Sequence, residues 1–311
     1  MFFSLAKNSF ASRSVFSYYT RMSTVAFILI VLSAISHALW NLLVKQSRDK
    51  TVFIWWMFLC SGSMLNLVIW LMPQPFPQLS PEVSLYALAG GACFVFYHLF
   101  NGRAYRDGDL SLTYPLSQTA MVYVPVWGIL FLHESLSLFG TAGVLLILAG
   151  AYTVQLRALT LSEISRPFRN LGNSSVQAAL AAGFIYSIGA VVDKLGVSQF
   201  PPLHFTYLLV MVMFAFFTLN ILRRRYRGRL RAEWQASRHL IFWSGPVMMG
   251  SFLCFRYGLQ MAPMSYAVPL RQVSLLAGVL IGVVFLGEAC GRIRSFAAVL
   301  ILSGVCLIRF G

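Results

Sequence analysis

The sequence predicts an all-α polytopic membrane protein in which ten transmembrane helices form two inverted five-helix repeats. Three observations carry that expectation: an ungapped internal duplication, ten apolar stretches of spanning length, and basic residues confined to alternate loops. Hydrophobic residues make up 58% of the 311 and charged ones 11%, against about a quarter charged in soluble domains.

Residues 110–154 and 264–308 align without a gap at an offset of 154. Ser111 meets Ser265, Pro115 and Leu116 meet Pro269 and Leu270, and Gln118 meets Gln272. Gly128 meets Gly282, Phe131 and Leu132 meet Phe285 and Leu286, Glu134 meets Glu288, and Gly150 meets Gly304. Each copy is almost wholly apolar.

Ten apolar stretches lie near 24–45, 52–72, 83–103, 110–132, 136–156, 175–197, 203–222, 239–260, 263–286 and 293–309. About 20 residues cross roughly 30 Å of hydrocarbon, and lipid offers backbone groups no partner, so these stretches are helices. Spans 1–5 form one copy (23–156) and spans 6–10 the other (175–311), joined by the polar segment 157–174. Five is odd, so the second copy inserts upside down. Inverted repeats place a substrate site at their interface near mid-depth, exposed to each side in turn as one half rocks on the other. Residues 1–22 hold Lys7, Arg13, Arg21, five serines and no acid. They read as a disordered extension, a transit-peptide-like leader, or a start placed before the true one at Met22.

Polar side chains inside the spans are the candidate site. In span 1, His37, Asn41 and Lys45 recur every four residues beside Trp40, one stripe on a helix. His37 and Asn41 either line a cavity or bond neighbouring helices, and Lys45 reads as an interfacial anchor. Span 3 offers Tyr97, His98 and Asn101, and span 4 offers Tyr114, Ser117 and Gln118. In span 6 Tyr186 aligns with His37, and the matched stretches end at Lys45 and Lys194. Arg256 in span 8 lies near a helix end and reads as a snorkelling cation. In span 9 the matches to Ser117 and Gln118 are Arg271 and Gln272. Arg271 lies about 12 Å into its span, with Asp193 and Glu288 as the nearest acids, both expected at helix ends. Pro115 and Pro269 are expected in first turns, where proline is tolerated, or as kinks. Gly278 and Gly282 form a GxxxG packing face. Glu134 and Glu288 are expected to cap the turns into spans 5 and 10.

The net charge of +15 belongs to topology. Loops after spans 1, 3, 5, 7 and 9 hold Lys45, Arg48, Lys50, Arg103, Arg106, Arg157, Arg166, Arg169, seven arginines between Arg223 and Arg238, Arg292 and Arg294. The other loops hold only Lys194. Basic loops stay in the cytoplasm and meet anionic headgroups, which puts both termini outside it and excludes nucleic acid as the partner. The five cysteines show no metal spacing and read as small thiols in helix packing.

The HALWN…K stretch of span 1, the D-L-S-L-x-Y-P-L start of span 4, the F-L-x-E exit and the L-x-x-G close of span 5 resemble the drug/metabolite transporter superfamily, EamA branch. The likeness covers nearly everything after residue 23. It implies ten helices in two EamA-type repeats, secondary transport of small metabolites or drugs, and often efflux from a bacterial plasma membrane. It also implies both termini inside, against the charge count. The small multidrug-resistance relatives carry an essential glutamate in their first span. Aligned on the closing lysine, that position falls on His37, and a histidine titrates near neutral pH, so a proton is the coupling ion to consider.

Taken together, Arg271 with Arg256 and His37 gives an electropositive cavity with few acids. Arginine matches carboxylate and phosphate oxygens, so an anionic or zwitterionic metabolite is the expected substrate. Efflux of lipophilic drugs is the alternative, and a membrane enzyme or scaffold the rival class. The five histidines form no HExxH or comparable spacing, paired intramembrane carboxylates are lacking, and no glycine-rich phosphate loop exists. No cofactor or metal is therefore expected. The expected partners are a small-molecule substrate and the lipid bilayer, with the chain a monomer or homodimer.

Overall fold

The structure, a computed structural model, describes residues 22–107, 113, 116–154, 156, 158–222, 226–286 and 291–310. The helices in chain order are α1 (Thr24–Gln46), α2 (Lys50–Leu71), α3 (Pro81–Asp107), α4 (Ala120–Leu132), α5 (Leu138–Thr153), α6 (Leu161–Arg169), α7 (Ser174–Gln199), α8 (Pro202–Ile221), α9 (Arg227–Gln260), α10 (Met264–Leu270), α11 (Val273–Leu286) and α12 (Arg292–Phe310). Among the described residues there is no strand. Side chains start several helices: Ser23 accepts from Ala26 N, Asp49 from Val52 N, Ser137 from Gly140 N and Asn173 from Ser175 N. Each satisfies an amide that the first turn leaves without a partner.

Six helices, α1, α2, α3, α7, α8 and α12, are long and apolar enough to cross a membrane, and the shorter apolar helices α4, α5 and α10–α11 accompany them. The stretch expected as span 8 lies in α9. That helix begins well before the expected span, and Ser237 leaves the helical region inside it (φ −128, ψ 17). The basic loop expected up to Arg238 is thus helical from Arg227, because Arg, Leu, Ala, Glu and Gln are good helix formers. The polar connector also contains a helix, α6. Leu161 and Ile164 are exposed on it beside Arg166, the pattern of a helix lying in the interface.

Span 9 is broken, which agrees with the kink alternative at Pro269. Pro269 stands near the end of α10, not in a first turn, and Arg271 and Gln272 form a turn before α11. Proline's missing N–H removes a helical hydrogen bond just where the helix stops. Gln118 and Thr119 form the matching turn ahead of α4. Pro115, Glu288 and Cys290 lie outside the described residues.

The packing repeats across the two halves. α3 packs along α7 as α9 packs along α1, and α2 meets α9 as α8 meets α3. α4 meets α7 as α11 meets α1, while α2 with α8 and α5 with α12 map onto themselves. This is the pairing of a pseudo-two-fold axis. α1 and α9 run antiparallel: Ser33 Oγ donates to Ser251 O at 2.8 Å and Ser251 Oγ to Ser33 O at 2.9 Å, while Gly258 rests against Ile30 and Ala26. α5 and α12 touch backbone to backbone at Gly143 and Gly304, with Ile147 and Ile301 buried in the seam. At Gly278, the member of the expected GxxxG pair whose surroundings are described, a Cβ would meet nothing within 4 Å.

The two ends of the bundle are held differently. At the basic end, buried Glu233 accepts from Arg48 N (3.3 Å) and Asp49 N (2.7 Å), and Asp49 pairs with Arg229. At the opposite end, His133 takes left-handed backbone (φ 53) to stop α4, and Glu134 N closes on Gly128 O. Glu134 does not cap the turn into α5. Its carboxylate reaches the second repeat and accepts from Met264 N (2.6 Å), Ser265 N (2.9 Å) and Ser265 Oγ (2.6 Å). A helix start offers free amides and the positive end of its dipole, a better partner for a carboxylate than its own turn.

Candidate functional site

The break between α10 and α11 points Arg271 into the bundle. One guanidinium nitrogen, Nη2, lies 3.3 Å from His37 Nδ1 on α1 and 3.5 Å from Ser251 Oγ on α9. A guanidinium only donates, so Nδ1 is the acceptor and the imidazole proton sits on Nε2. The guanidinium carbon stands 4.4 Å over the Phe255 ring, one turn from Ser251 on the same face, and Tyr186 from α7 also faces the group. Arg271 Nε is buried and has no hydrogen-bond partner among the described residues. A buried donor left open costs the full desolvation of that group.

Aromatic rings wall the same region. His37 meets Trp40 edge-on at 4.8 Å, and Trp40 Nε1 is a second buried donor without a partner among the described residues. Tyr186 packs on Tyr97 at 5.1 Å and Phe94 at 5.9 Å, and His98 bridges Tyr97 to Phe217. Asn101 is buried one turn from Tyr97, and its Oδ1 has no partner among the described residues. Gln272 Nε2 reaches Gln118 Oε1 at 3.3 Å and Met121 Sδ at 3.4 Å. Ser117 is buried and shares a 3.0 Å bond with Tyr105. Asn41 is exposed and donates back to His37 O in its own helix, so it neither ties helices together nor meets Arg271. Tyr114 lies outside the described residues.

Three expectations about charge are corrected. Arg256 does not snorkel: it is 4% exposed, and its Nε donates to Asp193 Oδ1 at 2.9 Å. Asp193 is not at a helix end, because α7 continues to Gln199, and the carboxylate is 2% exposed. Lys194 is not in a loop. It is buried in α7 and donates to the carbonyls of Leu259 (2.7 Å), in the last turn of α9, and Ala262 (2.9 Å), just beyond that helix. A terminal helix carbonyl carries partial negative charge, so it substitutes for water around the ammonium. Cys60, Cys93 and Cys254 are half-buried, Cys60 beside Gly245 and Cys93 beside Gly189 between helices, and Cys306 is exposed.

Sequence comparison decides the family. A model of the EamA-like transporter family matches residues 24–156 and again 173–310. The chain belongs to that family. A Sinorhizobium sp. protein described as an "Uncharacterized transporter in cobO 3'region" is 39% identical over 69 residues. The match takes in 22% of this chain and 46% of the relative, so the chain spans about half the length of that curated relative. A crystal structure of a protein aligns with a TM-score of 0.70 at 17% identity, over 91% of this chain and 95% of its own. That is a likeness of fold alone.

In this EamA-like chain the site draws on both repeats: His37, Trp40 and Tyr97 from the first, Tyr186, Ser251, Phe255 and Arg271 from the second. Sequence reading missed Ser251, Phe255 and the Asp193–Arg256 pair. Asp193 carried a usable signal as an acid set inside an apolar stretch, whereas a serine and a phenylalanine in a span carry none. Among the described residues no group of three or more His, Cys, Asp or Glu side chains could hold a metal ion.

Proposed function

We propose that this multi-pass membrane protein is a secondary transporter that moves a small organic anion, or a zwitterion bound through its carboxylate, by alternating access. One observation carries the reading: Arg271 is held at a helix break inside the bundle, with a buried open Nε and no carboxylate in salt-bridge contact among the described residues. An uncompensated cation within the bilayer is expensive unless a ligand or water completes it. Broken helices at the interface of inverted repeats are where transporters of this architecture place their substrate. Family likeness supports export, and the bacterial relative supports a bacterial plasma membrane.

Reconstituted protein tests this through counterflow of organic anions. Arg271→Gln is expected to lower uptake about tenfold or more, the loss of one charge-assisted bond in a buried site, with partial recovery in Arg271→Lys. Unchanged anion flux in Arg271→Gln would overturn the reading.

A further inference from the structure

Resting on that reading of Arg271, we infer that the site is set for a monovalent anion, and that Asp193 sets this valence by neutralising Arg256. The inference comes from which buried charges are already matched. Arg256 and Asp193 are both buried and joined by a 2.9 Å bond, and Arg271 lies within electrostatic reach of both. Lys194 and Glu134 serve the same short turn between α9 and α10. Lys194 donates to Ala262 O and Glu134 accepts from Met264 N, so their opposite charges stand two residues apart on that backbone. His37 accepts from Arg271 and adds no charge in this arrangement. His98 lies among the rings of Tyr97 and Phe217. Arg271, half-buried but with its Nε fully enclosed, is left without a carboxylate in contact among the described residues.

Inside a poorly screened bundle, a bound ligand should cancel the surplus charge and add none of its own. One guanidinium without a counter-charge therefore favours one negative charge. A second carboxylate would have to take Arg256 from Asp193 and leave that acid buried and unpaired. The duplicated halves agree with a role confined to one copy. The positions matched to Asp193 and Arg256 in the first repeat are Val44 and Gly102, which cannot form an ion pair. The pair is thus no requirement of the helix packing that the two halves share.

The test compares ligands that differ in charge on similar frames: butyrate, succinate and 4-aminobutyrate, and phenylacetate, phenylsuccinate and phenylalanine. Binding to the purified full chain is read as ligand-induced thermal stabilisation and as inhibition of counterflow. The wild-type chain should prefer the monoanion of a set. Asp193→Asn frees a second guanidinium and should move the ratio of dianion to monoanion affinity upward by about tenfold or more. Arg256→Gln leaves Asp193 to offset Arg271 and should weaken every anion. The double variant Asp193→Asn with Arg256→Gln removes both charges and should return the preference to the monoanion. That recovery is not expected of residues that act on folding alone. If Asp193→Asn does not fold, Arg256→Gln against the double variant decides the matter. A wild-type preference for dianions, or a valence ratio that stays constant across the variants, overturns the inference and leaves the anion reading standing. If no anion binds the wild-type chain and Arg271→Gln changes nothing, both fail together.

Discussion

Gln272 donates its side-chain amide to the carbonyl oxygen of Gln118 across 3.3 Å, and the two residues occupy the same place in the duplicated halves. A residue that touches its own repeat-mate lies beside the symmetry axis. Each glutamine also stands in the turn that interrupts its span, so the two breaks meet at this contact. Removing one partner leaves the other short of a bond in a water-poor place, at a cost of about 1–3 kcal/mol. Gln118→Leu and Gln272→Leu should each lower thermal stability in detergent, and the double variant should lose less than the sum. A strictly additive cycle would show that the two amides do not act as a pair.

The duplication and the helices were legible because they depend on long apolar runs, which lipid makes nearly obligatory. The broken helix was legible only as one of two alternatives. Pro269 and Pro115 look alike whether a proline starts a helix or ends one, and only the turn at Arg271 and Gln272 distinguishes the two. Arg271 stood out as a candidate from the sequence, being a cation inside an apolar span with no local acid. The fate of Arg256 was hidden, since its partner Asp193 is 63 residues away and pairing at such a distance is set by how α7 and α9 pack. Glu134 misled for a related reason. Its nearest free amides in sequence belong to its own turn, but the fold brings the start of α10 closer.

The α5–α12 seam should be intolerant of any side chain at its glycines. A Cβ built on Gly304 would stand 2.5 Å from Gly143 O and 2.9 Å from Ile147 N, atoms of backbone that cannot rotate away. Gly304→Ala is expected to cost about 1–3 kcal/mol through forced separation of the helices, seen as a lower unfolding temperature. Gly278→Ala supplies the contrast. It has open space around its Cβ, and alanine favours helix over glycine by up to about 1 kcal/mol, so stability should hold or rise. Equal losses at the two positions would mean that the seam is not where the glycines matter.

The corrected place of Lys194 sharpens the expected orientation. With that ammonium buried against α9, the turns 73–80, 133–137, 200–201 and 261–263 contain no lysine or arginine at all. The opposite end carries Arg48, Arg166, Arg229 and Arg231 on segments that the structure describes. Membrane insertion retains basic segments in the cytoplasm, so the turns without lysine or arginine belong outside, on the side of both termini. Replacing the native cysteines with alanine and placing single probes at exposed Gln74 and Ser162 would read this directly. Gln74→Cys should react with a membrane-impermeant maleimide in intact cells, and Ser162→Cys only after the cells are opened. The reverse pattern would show that the chain follows the inside-terminus habit of its relatives against its own charge distribution, and would place the face sealed by Glu134 in the cytoplasm.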